Sequence, residues 1–500
     1  MNTEVKEIVG GDAAAENKAE VALEKEEAAE VCEASDASAK SISESAAEDA
    51  KNDDSNEVSE FTAAEEKDEI IFKDVNYKWH KRYKTAKYPI RQPIYLTWLI
   101  WVLSQMMLIG KKKKVECINM EGLKPPYMIL SNHMSFVDFE LVSVGTYPQR
   151  MNNVVNIDGY YLRPWLMEWI GSIGTRKFTS DIHLIKSIRK VLSRGDVLCM
   201  YPEARYSPCG ISSYLPESLG MLVKRCKVPV VIAMQRGNHL LQPAWNVKNN
   251  RKVPLHTTIK LSLTAEDIEK MSAKEINDFL KAELTYDDYK YQKENGILIT
   301  EPKRADGLHK VLYQCPHCMT EFKMNSEGAD VFCEECGKRW NLTEDGSLKA
   351  YEGETEFSHV PDWFEWEREQ VKLQIERGEY SFEDEVDIYS QPGCYSFPYL
   401  GKGTLTHNEK DGFVVRGHYN GEDFCIHRTP IQTNSLHVEY NFGKIKPMAD
   451  CIDVSTEEDS FYCYPTQKNV ATKIAFATEI FYQRCEKRTV RRRRAAEENK

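Results

Sequence analysis

A histidine and an aspartate separated by four residues are the first candidates for chemistry in this 500-residue chain. His133 and Asp138 lie in the stretch Ser-Asn-His-Met-Ser-Phe-Val-Asp at residues 131–138. An imidazole acts as a general base when one ring nitrogen faces the substrate proton and a carboxylate holds the other. Residues five apart on a helix lie about 140° from each other, so His133 can reach Asp138 only from a loop that precedes the helix. Ser135 and Asp138 also form a capping pattern, so Asp138 could orient the imidazole, cap the helix or do both.

Four of the 14 cysteines form a second chemical pattern. Cys315 and Cys318 are one Cys-x2-Cys pair, and Cys333 and Cys336 are another. Two such pairs resemble a zinc ribbon, whose four thiolates hold Zn²⁺ in a closed tetrahedral shell. We therefore predict a structural zinc site, with a redox dithiol and an iron site as alternatives. The other cysteines show no disulfide spacing, which favours reduced thiols.

Two further polar blocks lie in a region of alternating strands and helices. Predicted strands cover residues 127–132, 153–157, 196–201, 228–234 and 257–263, and predicted helices cover 136–145, 161–173 and 182–192. This alternation predicts an α/β domain with a mostly parallel sheet, whose ligands bind at the carboxyl ends of the strands. A small-residue turn at 171–177 delivers Arg176 and Lys177, and the block at 201–207 follows a predicted strand with Glu203, Arg205 and Ser207.

The blocks at 131–138, 171–176, 202–207 and 228–232, in this order, resemble the lysophospholipid acyltransferase superfamily, which includes the 1-acylglycerol-3-phosphate acyltransferases. The resemblance covers residues 90–290 and implies acyl transfer from coenzyme A or acyl carrier protein to a glycerol hydroxyl. It implies that His133 is the base and Asp138 its orienting partner. It further implies that the acceptor is bound by Arg176 and Lys177 at the phosphate, Glu203 at the glycerol hydroxyls, Arg205 at the phosphate, and Ser207.

The third block departs from the family pattern. The usual Pro-Glu-Gly-Thr-Arg-Ser reads Pro-Glu-Ala-Arg-Tyr-Ser, so Tyr206 stands in place of the arginine and Arg205 comes one position early. Ala204 cannot adopt the dihedral angles of glycine as cheaply. Either the conformation of this loop or the acceptor lipid therefore differs from that of the family. The sequence does not identify the headgroup of the acceptor.

An apolar segment precedes the α/β region. Residues 93–110 (PIYLTWLIWVLSQMMLIG) lie between a basic stretch at 73–91 and four lysines at 111–114. As a helix they would span about 27 Å, slightly less than the roughly 30 Å hydrocarbon core. We expect this helix to lie in, or half-insert into, the surface of a membrane containing anionic lipid. A true span and a buried core helix are the alternatives.

Charge is unevenly distributed along the chain. Lys and Arg number 66 against 78 Asp and Glu, and residues 1–69 hold 22 acids and six lysines. We predict a disordered acidic tail at 1–69. Acids also outnumber bases around the zinc-ribbon cysteines, so nucleic-acid binding is not expected.

Short alternating runs from about residue 395 predict an antiparallel β-rich domain closed by a helix. An Asn420-Gly421 turn is a strong hairpin signal, and His418 and Asp423, which repeat the His-x4-Asp spacing, should lie on the surface beside it. The element order resembles pleckstrin-homology-like domains. We predict seven segments: tail 1–69, membrane segment 70–115, acyltransferase domain 116–300, zinc ribbon 308–350, helical linker 351–390, β-rich domain 391–487 and basic tail 488–500.

The sequence thus predicts a peripheral or monotopic enzyme at the cytoplasmic face of a membrane. Its partners would be a lysophospholipid acceptor, acyl-CoA or acyl carrier protein, and the membrane surface. The alternative is an inactive lipid- or protein-binding adaptor that uses the zinc ribbon and the C-terminal domain.

Overall fold

Three β-sheets organise the chain in the computed structural model, which describes residues 83, 88–179, 181–249, 251–440 and 449–498. The predicted acidic tail at 1–69 and most of the basic stretch before residue 88 lie outside these residues. The first sheet is mixed but mostly parallel, and the other two are antiparallel. The fold is therefore mixed α/β with separate antiparallel sheets toward the C-terminus.

The first sheet has seven strands in the order β1-β7-β6-β2-β5-β3-β4. All neighbours are parallel except β6 and β7. Its strands are β1 Lys113–Ile118, β2 Tyr127–Ser131, β3 Met151–Asn156, β4 Ile173–Thr175, β5 Val197–Met200, β6 Val230–Arg236 and β7 Leu255–Leu263. The helices that precede, flank and follow them are α1 Ile94–Met107, α2 Asp138–Thr146, α3 Pro164–Trp169, α4 Ile182–Ser193, α5 Ser218–Cys226, α6 Asn238–Leu241, α7 Ala265–Lys270, α8 Ala273–Leu284 and α9 Asp288–Glu294.

The central strand of this sheet is buried on both faces. In β2, Met128 and Leu130 pack into one hydrophobic cluster, and Tyr127 and Ile129 pack into another. A parallel strand covered on both faces reads as a continuous apolar run, which is why the sequence predicted it well. Its carboxyl end is thereby fixed rigidly, with His133 two residues beyond.

The region between β3 and β4 differs from the prediction. The predicted helix at 161–173 is shortened to Pro164–Trp169, and the segment taken as a turn contains strand β4, which pairs in parallel with β3. Gly171, with φ of +77°, ends the helical stretch because its backbone enters the left-handed region. Ile173 then belongs to the sheet.

Helix α1 exposes most of its large apolar side chains, and Leu96 is the buried exception among the leucines of this helix. It has 14 residues, about 21 Å of helix at 1.5 Å per residue. Thr97 and Ser104 are buried, whereas Trp98 and Met106 are more than half exposed, at 56% and 58%. This arrangement does not fit a buried core helix. None of the described helices combines the length and the apolar character needed to cross a bilayer.

The cysteine module forms a small antiparallel sheet in the order β11-β10-β9-β8. Its strands are β8 Met324–Glu327, β9 Asp330–Cys333, β10 Arg339–Leu342 and β11 Leu348–Ala350, and helix α10, Val360–Glu376, follows. Trp340 of β10 packs edge to face on Trp363 of α10, with ring centroids 5.0 Å apart. The same hydrophobic cluster includes Trp245 and Tyr289 of the α/β region, so the module is packed against that region.

The third sheet is antiparallel in the order β15-β14-β13-β12-β18-β17-β16. Its strands are β12 Phe382–Ser390, β13 Tyr399–Asn408, β14 Gly412–Tyr419, β15 Glu422–Arg428, β16 His437–Glu439, β17 Cys451–Ser455 and β18 Ser460–Pro465, and helix α11 is Ala471–Glu498. Asn420 and Gly421 have φ of +53° and +88° and form the predicted hairpin turn. The segment boundaries and the likeness to pleckstrin-homology-like domains stay predictions.

Candidate active site

His133 lies where the sequence predicted it, in the loop between β2 and α2. Its Nδ1 is 2.9 Å from Oδ2 of Asp138, the first residue of α2. Asp138 is 1% exposed, and the His133 side chain keeps 20% of its surface. Because an ionised carboxylate only accepts hydrogen bonds, this contact places the proton on Nδ1 and leaves Nε2 as the basic nitrogen.

Asp138 also organises the loop that carries His133. Its Oδ2 accepts hydrogen bonds from the backbone N–H groups of Met134, at 2.6 Å, and Ser135, at 3.0 Å. Its Oδ1 accepts one from Nδ2 of Asn238, at 2.7 Å. Within the described part of the chain, no side chain caps the start of α2 in the way the Ser135 pattern suggested. The carboxylate therefore orients the imidazole and stabilises the loop at once.

Two tyrosine rings flank the imidazole. The ring centroids of Tyr201 and Tyr206 lie 4.2 and 4.1 Å from that of His133. Burial lowers the pKa of His133 below its ordinary value, although the hydrogen bond and charge of Asp138 oppose this shift. Lys177 and His437 lower the same pKa further through their charge. The imidazole is therefore neutral near pH 7, the state a general base needs.

Glu203 is buried beside this histidine. It is 2% exposed, its Oε2 accepts a hydrogen bond from the backbone N–H of Ser213 at 3.0 Å, and its Oε1 is buried with no partner among the described residues. Burial raises the pKa of Glu203 to about 7, against the opposing effects of hydrogen bonds from Ser213 and of the charge of Arg205. The next residue, Ala204, has φ of +53°. The loop thus takes the left-handed conformation without a glycine, at a cost of roughly 1–2 kcal/mol.

Arg176 points toward the C-terminal sheet. Its guanidinium donates to the backbone oxygens of Gln391, at 3.1 Å, and Pro392, at 3.2 Å, and to Oγ of Ser460, at 3.1 Å. The neighbouring Lys177 lies with its Nζ 3.9 Å from Asp158 and 3.6 Å from Glu439. The phosphate-binding role of Arg176 stays a prediction, and a phosphate there would compete with these bonds.

Arg205 and Ser207 are also engaged by the protein. The guanidinium of Arg205 forms a 2.6 Å ion pair with Glu479 of α11 and donates to the backbone oxygen of Leu436 at 3.2 Å. The hydroxyl of Ser207 donates to the backbone oxygen of Ile211 at 2.5 Å, and its N–H donates to the backbone oxygen of His133 at 2.9 Å. Ser207 thus holds the histidine loop, and the substrate-binding roles of both residues stay predictions.

One large cavity connects these groups. It has a volume of about 1310 Å³, above the roughly 300–1,000 Å³ of ordinary small-molecule pockets. Its lining includes apolar side chains of helix α1, Leu99, Leu103 and Met107. It also includes five of the predicted site residues, namely His133, Arg176, Lys177, Glu203 and Arg205, but not Asp138 or Ser207.

Sequence reasoning missed the C-terminal contribution to this cavity. His437 and Glu439 of β16 line it, with the Nε2 atom of His437 2.6 Å from Oε1 of Glu439. They are about 300 residues from His133 along the chain, and no motif linked them to it. The aromatic flank could have been found, since Tyr201 ends a predicted strand and Tyr206 replaces the family's arginine.

The four predicted zinc ligands are close together. The Sγ atoms of these residues all lie within 4.8 Å of one another: Cys315, Cys318, Cys333 and Cys336. The Cys315–Cys336 and Cys318–Cys333 sulfur distances are 3.8 and 3.7 Å. A tetrahedron with Zn–S bonds of about 2.3 Å has sulfur–sulfur edges of about 3.8 Å. The cluster could therefore hold a structural metal ion.

His418 and Asp423 form the other pair with the same spacing. The Nδ1–Oδ1 distance is 2.8 Å, but the side chains are 61% and 87% exposed on the hairpin. The pair reproduces the hydrogen bond of His133 without its cavity or its buried carboxylate. It therefore offers a matched control for mutagenesis.

Comparison with solved structures finds a weak likeness to an acyltransferase. No protein-family model matches the chain, and no curated protein matches it. The 1-acyl-sn-glycerophosphate (LPA) acyltransferase PlsC from Thermotoga maritima is 15% identical with a TM-score of 0.31, over 38% of this chain and 77% of that one. A likeness of this size shows neither a family nor an activity for this chain.

Proposed function

We propose that this chain is an acyltransferase that moves a fatty acyl group from an acyl thioester to a glycerol hydroxyl of a lysophospholipid. The observation that carries the proposal is the pair of His133 and buried Asp138, joined at 2.9 Å beside a cavity lined by both polar and apolar side chains. Such a cavity suits an amphiphilic acceptor and a long acyl chain. Coenzyme A or acyl carrier protein would supply the thioester.

The reaction follows from the tautomer of the histidine. Nε2 of His133 takes the proton of the acceptor hydroxyl as its oxygen attacks the thioester carbonyl. Asp138 stabilises the resulting imidazolium through its bond to Nδ1. Collapse of the tetrahedral intermediate breaks the C–S bond, and the imidazolium returns the proton to the leaving thiolate. One C–O bond forms, one C–S bond breaks, and His133 ends neutral.

The pattern of exposed and buried residues in helix α1 supports association with a membrane surface. Its polar residues Thr97 and Ser104 face inward, while Trp98 and Met106 face outward, the reverse of a helix on a water-facing surface. Tryptophan at an apolar face, followed by four lysines at 111–114, suits an anionic interface. We propose peripheral or monotopic association, on the cytoplasmic face, with lipid entering the cavity beside α1.

The cysteine cluster would hold Zn²⁺ in a structural role. Two of its sulfur–sulfur distances match the edge of a tetrahedral shell, and four thiolates would leave no open position, so the ion would stabilise the fold of the ribbon and not contact substrate. Cys315 and Cys333 belong to the same buried cluster as Trp340 and Trp363, which couples the metal to the packing of α10.

The test is acyl transfer by the purified full-length protein in lipid vesicles. Radiolabelled acyl-CoA or acyl carrier protein is offered with a panel of lysophospholipids, and both released thiol and acylated lipid are measured. We expect equal amounts of thiol and acylated lipid, formed only when an acceptor is present. Thiol release without acylated lipid would indicate hydrolysis, and no turnover with any pair would favour the adaptor alternative. Either result contradicts the proposal.

A further inference from the structure

A buried carboxylate of the last helix binds the loop that follows β5. Glu479 of α11 is 1% exposed, and its Oε1 lies 2.6 Å from a terminal guanidinium nitrogen of Arg205, which is 5% exposed. The hydroxyl of Ser435 donates to the same oxygen at 2.8 Å. Arg205 also donates to the backbone oxygen of Leu436 at 3.2 Å. The loop of the third sequence block is therefore bound to the C-terminal part of the chain.

The other carboxylate oxygen of Glu479 holds a second arginine. It accepts a hydrogen bond from Arg368 of α10, which also pairs with Glu365. Burial alone would raise the pKa of Glu479, but the charges of Arg205 and Arg368 lower it below its ordinary value. Glu479 is therefore ionised near pH 7. Because a buried charge needs partners, loss of either arginine would leave part of this charge uncompensated.

The residues that follow Arg205 contact His133. Tyr206 packs on the imidazole with ring centroids 4.1 Å apart, and Phe136 packs on Tyr206 at 4.8 Å. The N–H of Ser207 donates to the backbone oxygen of His133 at 2.9 Å. Arg205 thus binds α11 while its neighbours bind the histidine. A shift of this loop would change both contacts of His133 at once.

We infer that Glu479 is a positioning residue, which acts through Arg205 to hold this loop against the imidazole of His133. The inference rests on the proposed acyl transfer and adds the C-terminal helix to its machinery. It also gives a reason for the altered third block, in which the arginine comes one position early. There Arg205 reaches Glu479, and Tyr206 takes the place beside His133. The competing role for Arg205 is to bind the acceptor phosphate.

The test is the kcat and KM of acyl transfer for Glu479→Ala, with Arg368→Ala as the matched control. Both changes break the same buried network, but within the described residues Arg368 has no hydrogen bond or ion pair with the loop at 202–207. Because a 1 Å misplacement can cost about 10²-fold in rate, we expect Glu479→Ala to lower kcat by about tenfold or more. KM should change by less than about threefold, since no substrate contact is removed. Arg368→Ala should keep kcat within about twofold of wild type.

The pH profile provides a readout that a loss of stability alone would not change. Burial is the main cause of the lowered pKa of His133. A loosened loop admits water to the imidazole, so in Glu479→Ala this pKa should rise toward its ordinary value of 6.5 and the acid limb of kcat/KM should move to higher pH. Arg368→Ala should keep the wild-type profile. Neither variant alters the titratable groups around His133, which are Asp138, Lys177, Tyr201, Glu203, Tyr206 and His437.

A milder variant decides the case if Glu479→Ala does not fold. Ser435→Ala removes only the hydroxyl that donates to Glu479 and leaves both arginines in place. We expect it to unfold cooperatively and to lower kcat by about threefold or more, because hydrogen bonds to charged groups are stronger than neutral ones. A wild-type kcat in folded Ser435→Ala would overturn the inference.

Three further outcomes would also overturn it while leaving acyl transfer intact. The first is a folded Glu479→Ala protein with wild-type kcat and an unmoved acid limb. The second is an equal fall in kcat in Glu479→Ala and Arg368→Ala, which would indicate general loosening. The third is a lower KM at unchanged kcat, which would show that the released Arg205 binds the phosphate. If wild type acylates no lysophospholipid of the panel, the proposed function fails, and this inference fails with it.

Discussion

Replacing Asp138 with asparagine separates charge from shape in the proposed site. Oδ2 accepts from His133, Met134 and Ser135, and Oδ1 accepts from Asn238. An asparagine oxygen can take the place of Oδ2 and keep three of these bonds. The new amide NH₂ would then face Asn238, whose Oδ1 is buried without a partner among the described residues and can accept after a flip of the side chain. The variant therefore keeps the geometry and loses the negative charge.

The magnitude follows from what that charge does. Hydrogen bonds to charged groups contribute more than neutral ones, so we expect a stability loss of about 1–3 kcal/mol. The imidazolium that forms during transfer loses its counter-charge, so kcat/KM should fall by roughly 10²- to 10⁴-fold, or about 3–5 kcal/mol of barrier. Asp138 also raises the pKa of His133, so its removal should lower that pKa and move the acid limb of the pH profile to lower pH.

The assay is the pH dependence of kcat/KM for acyl transfer by wild type and Asp138→Asn, with thermal unfolding measured in parallel. A base is active when deprotonated, so activity falls as pH drops through the lowered pKa of His133, below its ordinary value of 6.5. Asp423→Asn, which changes the exposed partner of His418, should alter neither the acid limb of the pH profile nor kcat/KM. A folded Asp138→Asn variant with near-wild-type kcat/KM, or an acid limb that does not move, would refute the reasoning.

Three other predictions concern stability, metal and membrane. Because the pKa of Glu203 is raised from 4.5 to about 7, ionising this carboxyl costs the folded state about 3 kcal/mol. Glu203→Gln should therefore be as stable as wild type near pH 4.5 and more stable by up to that amount at pH 8. An equal difference in unfolding free energy at both pH values would contradict this prediction. Zinc analysis should find one ion per chain. Cys333→Ser should lose the ion and unfold at a lower Tm, whereas Cys117→Ser, which changes an exposed cysteine, should do neither. Retention of metal by Cys333→Ser would rule out the site. Trp98→Gln should lower the affinity for anionic vesicles, measured by co-sedimentation, by about tenfold. Tyr351→Gln, which changes a similarly exposed side chain on the cysteine module, should leave this affinity unchanged. Equal binding by the two variants would exclude α1 as the membrane contact.

Local pattern was enough to predict that His133 lies beside Asp138 and that the four cysteines lie close together. The spacing of His133 and Asp138 allows only a loop-to-helix geometry, and the buried strand before it has a continuous apolar sequence. The two Cys-x2-Cys pairs bring their ligands together through tight turns within each pair. In both cases the chemistry lies within a few residues of chain, where propensity and turn geometry act directly.

Long-range contacts were beyond the sequence pattern. Arg176 and Arg205 look like phosphate ligands when read with their neighbours, yet their guanidinium groups bind oxygens more than 200 residues away along the chain. Which residues compete for an arginine depends on how the C-terminal sheet packs, and no local signal reports this. The short strand β4 was missed for a related reason, since its three residues form a strand only because β3 lies beside them.

The central claim is that the imidazole of His133 removes the proton from the acceptor hydroxyl. Its most direct measurement is the single-turnover rate of acyl transfer by His133→Ala beside His418→Ala, both checked for native thermal unfolding. We expect a loss of about 10²-fold or more for the first variant and an unchanged rate for the second. A folded His133→Ala protein that transfers the acyl group as fast as wild type would show that another group takes the proton.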